Sequence, residues 1–281
     1  MEIIERIKPL RAALEAPRRR GESIALVPTM GALHEGHLAL VDRAKALAGT
    51  VVMSLFVNPL QFGPNEDFAR YPRDRDGDAR LADSRGVDIL FAPQPDELYR
   101  GGRAVSVVPT ALASRWDGAS RPGHFAGVLT VVAKLFNIVQ PDVAIFGQKD
   151  IQQATIIRAM VRDLDFLIRV VVAPTVRERD GLALSSRNAY LNEGDRKRAL
   201  LLSRAIFAMR DAFGGGETST AALESLGNAV IAAEPAVSVE YLAVMDPETL
   251  EPMTTASTGS IIAVAARIGT TRLIDNVILG A

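Results

Sequence analysis

The sequence predicts an α/β fold: a doubly wound parallel sheet followed by a smaller α+β domain toward the C-terminus. Three observations carry this prediction. Short apolar runs rich in β-branched residues alternate with amphipathic stretches through the first two thirds of the chain, which is the rhythm of strand–helix–strand crossovers. The rhythm changes after Pro174. Finally, 281 residues exceed the ~250 at which a single core stops growing, so two domains are expected, 1–175 and 176–281.

Taken in order, residues 24–27, 50–57, 87–92, 143–146 and 168–173 read as strands buried on both faces, because they are continuously apolar rather than alternating. Between them, Leu38, Val41, Ala44 and Ala48, and then Val128, Val131, Leu135 and Ile138, recur three or four apart and read as crossover helices. Such units place their strands parallel, with helices on both faces. Beyond Pro174, residues 194–213 read as a helix ended by Gly214-Gly215-Gly216, which can hardly continue it. A second helix follows at 220–233, then strands at 237–244, 261–267 and 272–279 with turn signals between them. The Arg18-Arg19-Arg20 run reads as a solvated loop rather than a nucleic-acid patch.

Composition removes several classes of function. With 32 basic and 33 acidic residues, no broad cationic face for nucleic acid is expected. A hydrophobic content of 48% against 23% charged argues for a packed core and against disorder. The absence of cysteine excludes thiol nucleophiles, disulfides and cysteine-based zinc sites. Residues 1–11 lack the apolar run of a signal peptide, and no stretch approaches a membrane span. A cytoplasmic protein without membrane or nucleic-acid partners is expected.

All three histidines, His34, His37 and His124, fall in two short glycine-containing segments. The first follows the first predicted strand and opens the first helix, where backbone amides and the helix dipole attract phosphate. His-Glu-Gly-His does not have the His-Glu-x-x-His spacing of a zinc helix. No Gly-Lys dipeptide occurs and no Gly-x-Gly-x-x-Gly follows the first strand, so neither a P-loop nor a dinucleotide fingerprint is present. What remains is a nucleotide met by imidazoles and a helix start. Lys149 can meet phosphate as a point charge, while Asp150 can cap a helix or accept from a ribose hydroxyl. Leu184-Ser185-Ser186-Arg187-Asn188, placed between the two predicted domains, offers hydroxyls and a bidentate cation. The amides of Asn58, Gln61, Gln152 and Gln153 suit a small hydroxy acid, since each donates and accepts at once.

Read together, Pro28-Thr29-Met30-Gly31-Ala32-Leu33-His34-Glu35-Gly36-His37, Phe56-Val57-Asn58-Pro59-Leu60-Gln61-Phe62, Tyr71-Pro72-Arg73, Arg121-Pro122-Gly123-His124-Phe125, Phe146-Gly147-Gln148-Lys149-Asp150 with Gln152-Gln153, and Leu184-Ser185-Ser186-Arg187-Asn188 resemble the pantoate–β-alanine ligase (pantothenate synthetase) family. The motifs occur in the family's order and cover essentially the whole chain. The His-x-Gly-His piece alone is shared with the wider nucleotidylyltransferase-like superfamily.

The resemblance implies a Rossmann-like N-terminal domain, a smaller lid-like C-terminal domain and a homodimer. It implies an ATP site formed by Met30, Gly31, Ala32, Leu33, His34, Glu35, Gly36, His37, Gly147, Gln148, Lys149, Asp150, Val176, Leu184, Ser185, Ser186 and Arg187. Within that set, His37, His34, Lys149 and Arg187 are the expected catalytic residues, His37 as proton donor. Gln61, Gln153, Asn58 and Arg121 are expected on pantoate, and Gln61 also on β-alanine. The implied reaction has two steps: (R)-pantoate and ATP give an acyl adenylate and diphosphate, and β-alanine then displaces AMP. It requires magnesium with ATP and no organic prosthetic group. Gly77 stands where the family places an acidic residue beside the metal, between Asp76 and Asp78, so the resemblance assigns no protein ligand to it. Two other readings stay open at this stage: a nucleotidylyltransferase acting on a phosphorylated acceptor, and a non-catalytic nucleotide sensor.

Overall fold

The computed structural model describes residues 1–64 and 66–280. Strands β1 (Glu2–Ile4), β2 (Ile24–Thr29), β3 (Thr50–Leu55), β4 (Ile89–Phe91), β5 (Val143–Gly147) and β6 (Arg169–Ala173) form one sheet in the order β1-β4-β3-β2-β5-β6. Every pairing is parallel, as crossover connections require. From β2 the chain moves outward through β3 to β4, and from β5 it moves the opposite way to β6. The switch point between β2 and β5 is where doubly wound sheets place ligands, outside the carboxyl ends of the strands.

The helices of this part are α1 (Ile7–Arg19), α2 (Glu35–Lys45), α3 (Arg75–Ser84), the short α4 (Pro95–Leu98) and α5 (Trp116–Ser120), α6 (His124–Val139) and, from Ile156 onward, α7 (Ile151–Asp163). Alternate strand residues serve opposite faces. Leu26, Val52, Phe91 and Phe146 pack with Leu10 and Leu14 of α1 and with Leu129 and Phe136 of α6. Val27, Met53, Leu90 and Ile145 pack with Val41 and Ala44 of α2 and Ala82 of α3. Helices on both faces explain why the strands are apolar without alternation.

The elements that the periodicity does not predict include β1 and α1, besides the short α4 and α5. β1 is a three-residue edge strand paired only with β4, and α1 contains Pro9 and Pro17, which mask its periodicity. Pro9 lies in the first turn, where its missing N–H costs nothing, and Pro17 lies near the end of the helix. The expected loop at Arg18-Arg19-Arg20 is therefore corrected: Arg18 and Arg19 form the last helical turn and Arg20 its cap. Cations there complement the negative end of the helix dipole, and Arg18 donates to the Val139 carbonyl at the end of α6.

The chain divides into two compact units, Met1–Gly147 with Ile156–Pro174, and Gln148–Thr155 with the chain from Thr175 onward. The second holds α8 (Glu193–Gly214), α9 (Thr220–Ala232) and the antiparallel sheet β7 (Val237–Met245), β8 (Ile261–Ile268), β9 (Thr271–Ile278). Asn192 caps α8 by accepting from the Asp195 amide at 2.9 Å, and the predicted glycine stop ends it, with Gly216 at φ +101°. Ala205, Ile206 and Met209 of α8 pack with Leu223 of α9 and with Val244, Ile262 and Val264 of the sheet. Among the described residues, no helix is long and apolar enough to cross a membrane.

Candidate functional site

In the first unit, the loop from β2 to α2 is built around one carboxylate. After Thr29 the chain turns through Gly31 at φ +87° and Ala32 at φ +51°. A Cβ on Gly31 would lie 2.8 Å from Asp78 Oδ2, so both the conformation and the space require glycine there. Asp78, buried on α3, accepts from the amides of Ala32 at 2.9 Å and Leu33 at 2.7 Å. Burial outweighs those two hydrogen bonds and pushes its carboxyl above the ordinary range.

The loop delivers both histidines to the start of α2. His34 is the N-cap: its Nδ1 accepts from the Gly36 amide at 3.1 Å, and His37 Nδ1 accepts from the His34 amide at 3.3 Å. The rings lie 4.1 Å apart, centroid to centroid, tilted by 38°. A neutral imidazole that accepts at Nδ1 carries its proton on Nε2. Capping and ligand binding are thus not rival explanations: the cap fixes the tautomer, and each ring becomes an N–H donor at a helix N-terminus suited to anionic oxygens. A cleft of 260 Å³ opens at the carboxyl ends of β2, β3 and β4, lined by Met30, Phe56, Phe68, Arg73 and Asp78 among others.

Met30 also joins the amide cluster. Gln61, at the end of the 3-10 turn Pro59–Gln61, donates from Nε2 to Met30 Sδ at 3.1 Å and accepts at Oε1 from Asn58 Nδ2 at 3.1 Å. Asn58 is held by the Tyr99 hydroxyl, which donates to its Oδ1 at 2.8 Å, and by the Gly127 carbonyl, to which it donates at 3.1 Å. Arg121 reaches the same turn from the other side. It forms a bidentate pair with Glu66 at 2.6 and 2.8 Å, lies 2.9 Å from His124 Nε2, and donates to the Gln61 carbonyl at 3.3 Å. His124 Nδ1 lies 2.8 Å from that same carbonyl. Burial, reinforced by the Arg121 charge, pushes the His124 imidazole down to about 4. Burial would raise Glu66, but the Arg121 hydrogen bond and charge win and hold it below the usual carboxylate range.

Of the remaining expected residues, Gly147 ends β5 in the first unit and the others belong to the second. Gln148, Lys149 and Asp150 form a 3-10 turn after β5. It is tied down by Asn276 of β9, which donates to the carbonyls of Gln148 and Lys149 at 2.9 Å each and accepts from Gln148 Nε2 at 3.2 Å. On α7, Gln152 is buried and Gln153 half-buried. Val176 accepts at its carbonyl from the Leu184 amide at 3.0 Å, closing a hairpin whose Arg177 makes a bidentate pair with buried Asp275 at 2.6 and 2.8 Å. Ser185 then caps the 3-10 segment Ser186–Tyr190 by accepting from the Arg187 amide at 3.3 Å. The 184–188 segment, expected between the domains, lies inside the second unit.

Asn58, Gln61, Arg121 and Met30 are therefore joined directly, as are Gln148 and Lys149 with their staple. Sequence reasoning missed Asp78 as the anchor of the histidine loop, Glu66 and Tyr99 as supports, and Asn276. A usable signal existed only for the last: Asp275-Asn276 interrupts the apolar run from Leu273 to Leu279. Among the described residues, no group of three or more His, Cys, Asp or Glu is arranged to hold a metal ion.

Comparison with known proteins finds matches over essentially the whole chain. The sequence model of the pantoate-beta-alanine ligase family matches residues 2–278. A pantothenate synthetase of Acidobacterium capsulatum is 54% identical over 291 aligned positions, covering 100% of this chain and 97% of the relative. The crystal structure of pantothenate synthetase from Thermus thermophilus superposes with a TM-score of 0.95 at 50% identity, covering 99% of each chain. That of the ligase from Francisella tularensis, complexed with beta-gamma ATP and beta-alanine, gives 0.80 at 33% identity, covering 99% of this chain and 97% of that one.

Proposed function

The chain belongs to the pantoate–β-alanine ligase family, and from that premise we propose how its own residues carry out the ligation. The enzyme joins pantoate to β-alanine with ATP. In the proposed course, a carboxylate oxygen of (R)-pantoate attacks the α-phosphorus of ATP and diphosphate leaves, giving pantoyl adenylate. The β-alanine amine then attacks the activated carbonyl, loses a proton, and AMP departs with the C–O bond electrons. No protein nucleophile is needed, so the chain's contribution is positioning and stabilisation of charge on phosphate oxygens.

The observation that carries the assignment is the paired capping of His34 and His37, which sets both rings as Nε2–H donors at the start of α2. We assign ATP to residues 30–37, Gly147, Gln148, Lys149, Asp150, Val176 and 184–187, with His37 as proton donor and His34 on the phosphates. Lys149 acts as a point charge and Arg187 as a bidentate partner of developing negative charge. Pantoate falls to the amides of Gln61, Gln153 and Asn58 with Arg121 on the same side, and Gln61 also serves β-alanine. Asp78 commits both carboxylate oxygens to backbone amides, so we assign Mg²⁺ to the triphosphate and water rather than to this acid. The division into a nucleotide- and pantoate-binding domain, 1–175, and a smaller domain, 176–281, a homodimeric assembly and a cytoplasmic site of action complete the proposal. The cytoplasmic assignment accords with a chain that uses no cysteine.

A coupled assay of AMP formation from ATP, pantoate and β-alanine, each omitted in turn, tests it. AMP release that needs both cosubstrates, with a diphosphate burst on pantoate and ATP alone, is the expected result. Diphosphate release independent of pantoate would overturn it.

A further inference from the structure

Arg121 is more thoroughly engaged than a substrate ligand should be. Four of its five N–H groups are taken: Nε and one Nη2 hydrogen by Glu66, the other Nη2 hydrogen by the Gln61 carbonyl, and one Nη1 hydrogen by His124 Nε2. Guanidinium can only donate, so His124 Nε2 must accept. A backbone carbonyl can only accept, so His124 Nδ1, 2.8 Å from the Gln61 oxygen, must donate. The two constraints together admit one state of the ring, the neutral Nδ1–H tautomer. This is the reverse of the tautomer that the caps impose on His34 and His37. An imidazolium here would turn an N–H against a guanidinium and would sit at the first residue of α6, the positive end of the helix.

The network converges on one atom. The Gln61 carbonyl oxygen receives both the His124 and the Arg121 donors, one for each lone pair, while its side chain is oriented separately by Asn58 and Met30. We propose that Glu66, Arg121 and His124 are a single positioning unit that aims the Gln61 amide at pantoate, so that Arg121 acts on the substrate through Gln61 rather than by touching it. The proposal rests on the assignment of Gln61 to pantoate made above. Glu66 sets the rotamer of Arg121, Arg121 sets the tautomer of His124, and the two donors together fix the plane of the Gln61 peptide.

Steady-state kinetics with varied pantoate, on variants whose melting curves show a folded protein, test it. His124→Leu and Arg121→Lys should each raise the pantoate KM about tenfold or more, the scale of one lost hydrogen bond, with the ATP KM nearly unchanged. His124→Asn, whose amide can still donate to the Gln61 carbonyl, should restore much of the loss, and the isosteric Glu66→Gln should reproduce it if the Leu variant does not fold. The decisive arm is the cycle with Gln61→Ala: on that background His124→Leu should add little, because it acts through the missing side chain. Additive effects, or a pantoate KM unmoved by His124→Leu and Arg121→Lys while Gln61→Ala raises it, would overturn the unit. A pantoate KM unmoved by Gln61→Ala itself would instead remove the assignment beneath it, and the proposal with it. Nitrogen-15 spectra provide a second readout, since only three histidines are present: the signal lost in His124→Asn should show protonation at Nδ1, and protonation at Nε2 would refute the arrangement.

Discussion

Gly127→Ala is a sharp test of how the proposed pantoate side is built, because two effects of opposite sign compete at one methyl group. In the interior of a helix, alanine is favoured over glycine by about 1 kcal/mol, so the variant would ordinarily be more stable. At Gly127 of α6, however, a Cβ would lie 2.2 Å from the Leu60 oxygen, 2.4 Å from the Leu60 carbonyl carbon and 2.7 Å from the Gln61 nitrogen. All three are backbone atoms, with no rotamer that relieves the clash. Ordinary contact begins at 3.4 Å, so the helix and the 3-10 turn must separate by about 1 Å. Overpacking of this kind costs about 1–3 kcal/mol, which should exceed the propensity gain. The same movement displaces Gln61, and misplacing a positioning group by about 1 Å can cost up to 10²-fold in rate. Urea unfolding and pantoate saturation kinetics measure the two consequences. A Gly127→Ala enzyme that is more stable than the parent and binds pantoate normally would refute both the packing argument and the role of the turn.

Four further outcomes follow from the geometry. His37→Ala should lower turnover on the order of 10²–10³-fold with ATP binding little changed, because a preorganised donor acts mainly in the transition state; equal losses in the two would make His37 a plain binding residue. Asp78→Asn turns an amide nitrogen toward two backbone donors that both need an acceptor, and should cost about 1–3 kcal/mol of stability while raising the ATP KM more than the pantoate KM, as substrate titrations and melting curves would report. Asp275→Ala strands Arg177 in a largely buried pair and should cost about 3–5 kcal/mol, whereas Asp211→Ala, which breaks the exposed pair with Arg210, should change unfolding by no more than about 0.5 kcal/mol. For His124, the folded value of about 4 lies below the ordinary 6.5, so the unfolded chain binds the extra proton. Stability should therefore fall as pH drops from about 6.5 toward 4, by about 2 kcal/mol at pH 5, and His124→Asn should lack that component; parallel pH profiles for the two proteins would disprove it.

What the sequence disclosed and what it hid divide along one physical line: the distance in the chain over which each arrangement is specified. β2, β3 and β5 were readable because burial on both faces leaves an apolar run, while β1 has three residues and a single partner at the sheet edge. At the opposite edge β6 keeps a legible run of three valines, but the expected burial on both faces is corrected: with β5 as its one partner, Arg169 is exposed and Val170 to Val172 are half-buried. The histidine pair was readable because its cap is closed within four residues, from His34 to His37. Its anchor was not, because Asp78 reaches Ala32 across 46 positions and no periodicity or turn rule links an acid on one helix to amides on another loop. The same holds for His124 and the Gln61 carbonyl, 63 positions apart. Local motifs of this kind name the candidate ligand groups, and their caps set the tautomers of His34 and His37; the contacts that anchor the loop and set the tautomer of His124 are long-range. The distinction also explains why Arg121 reads as a ligand from its motif and as a support from its bonds. A cation beside a glycine and a histidine looks available in sequence, and only the fold shows that Glu66, His124 and the Gln61 carbonyl have already claimed it.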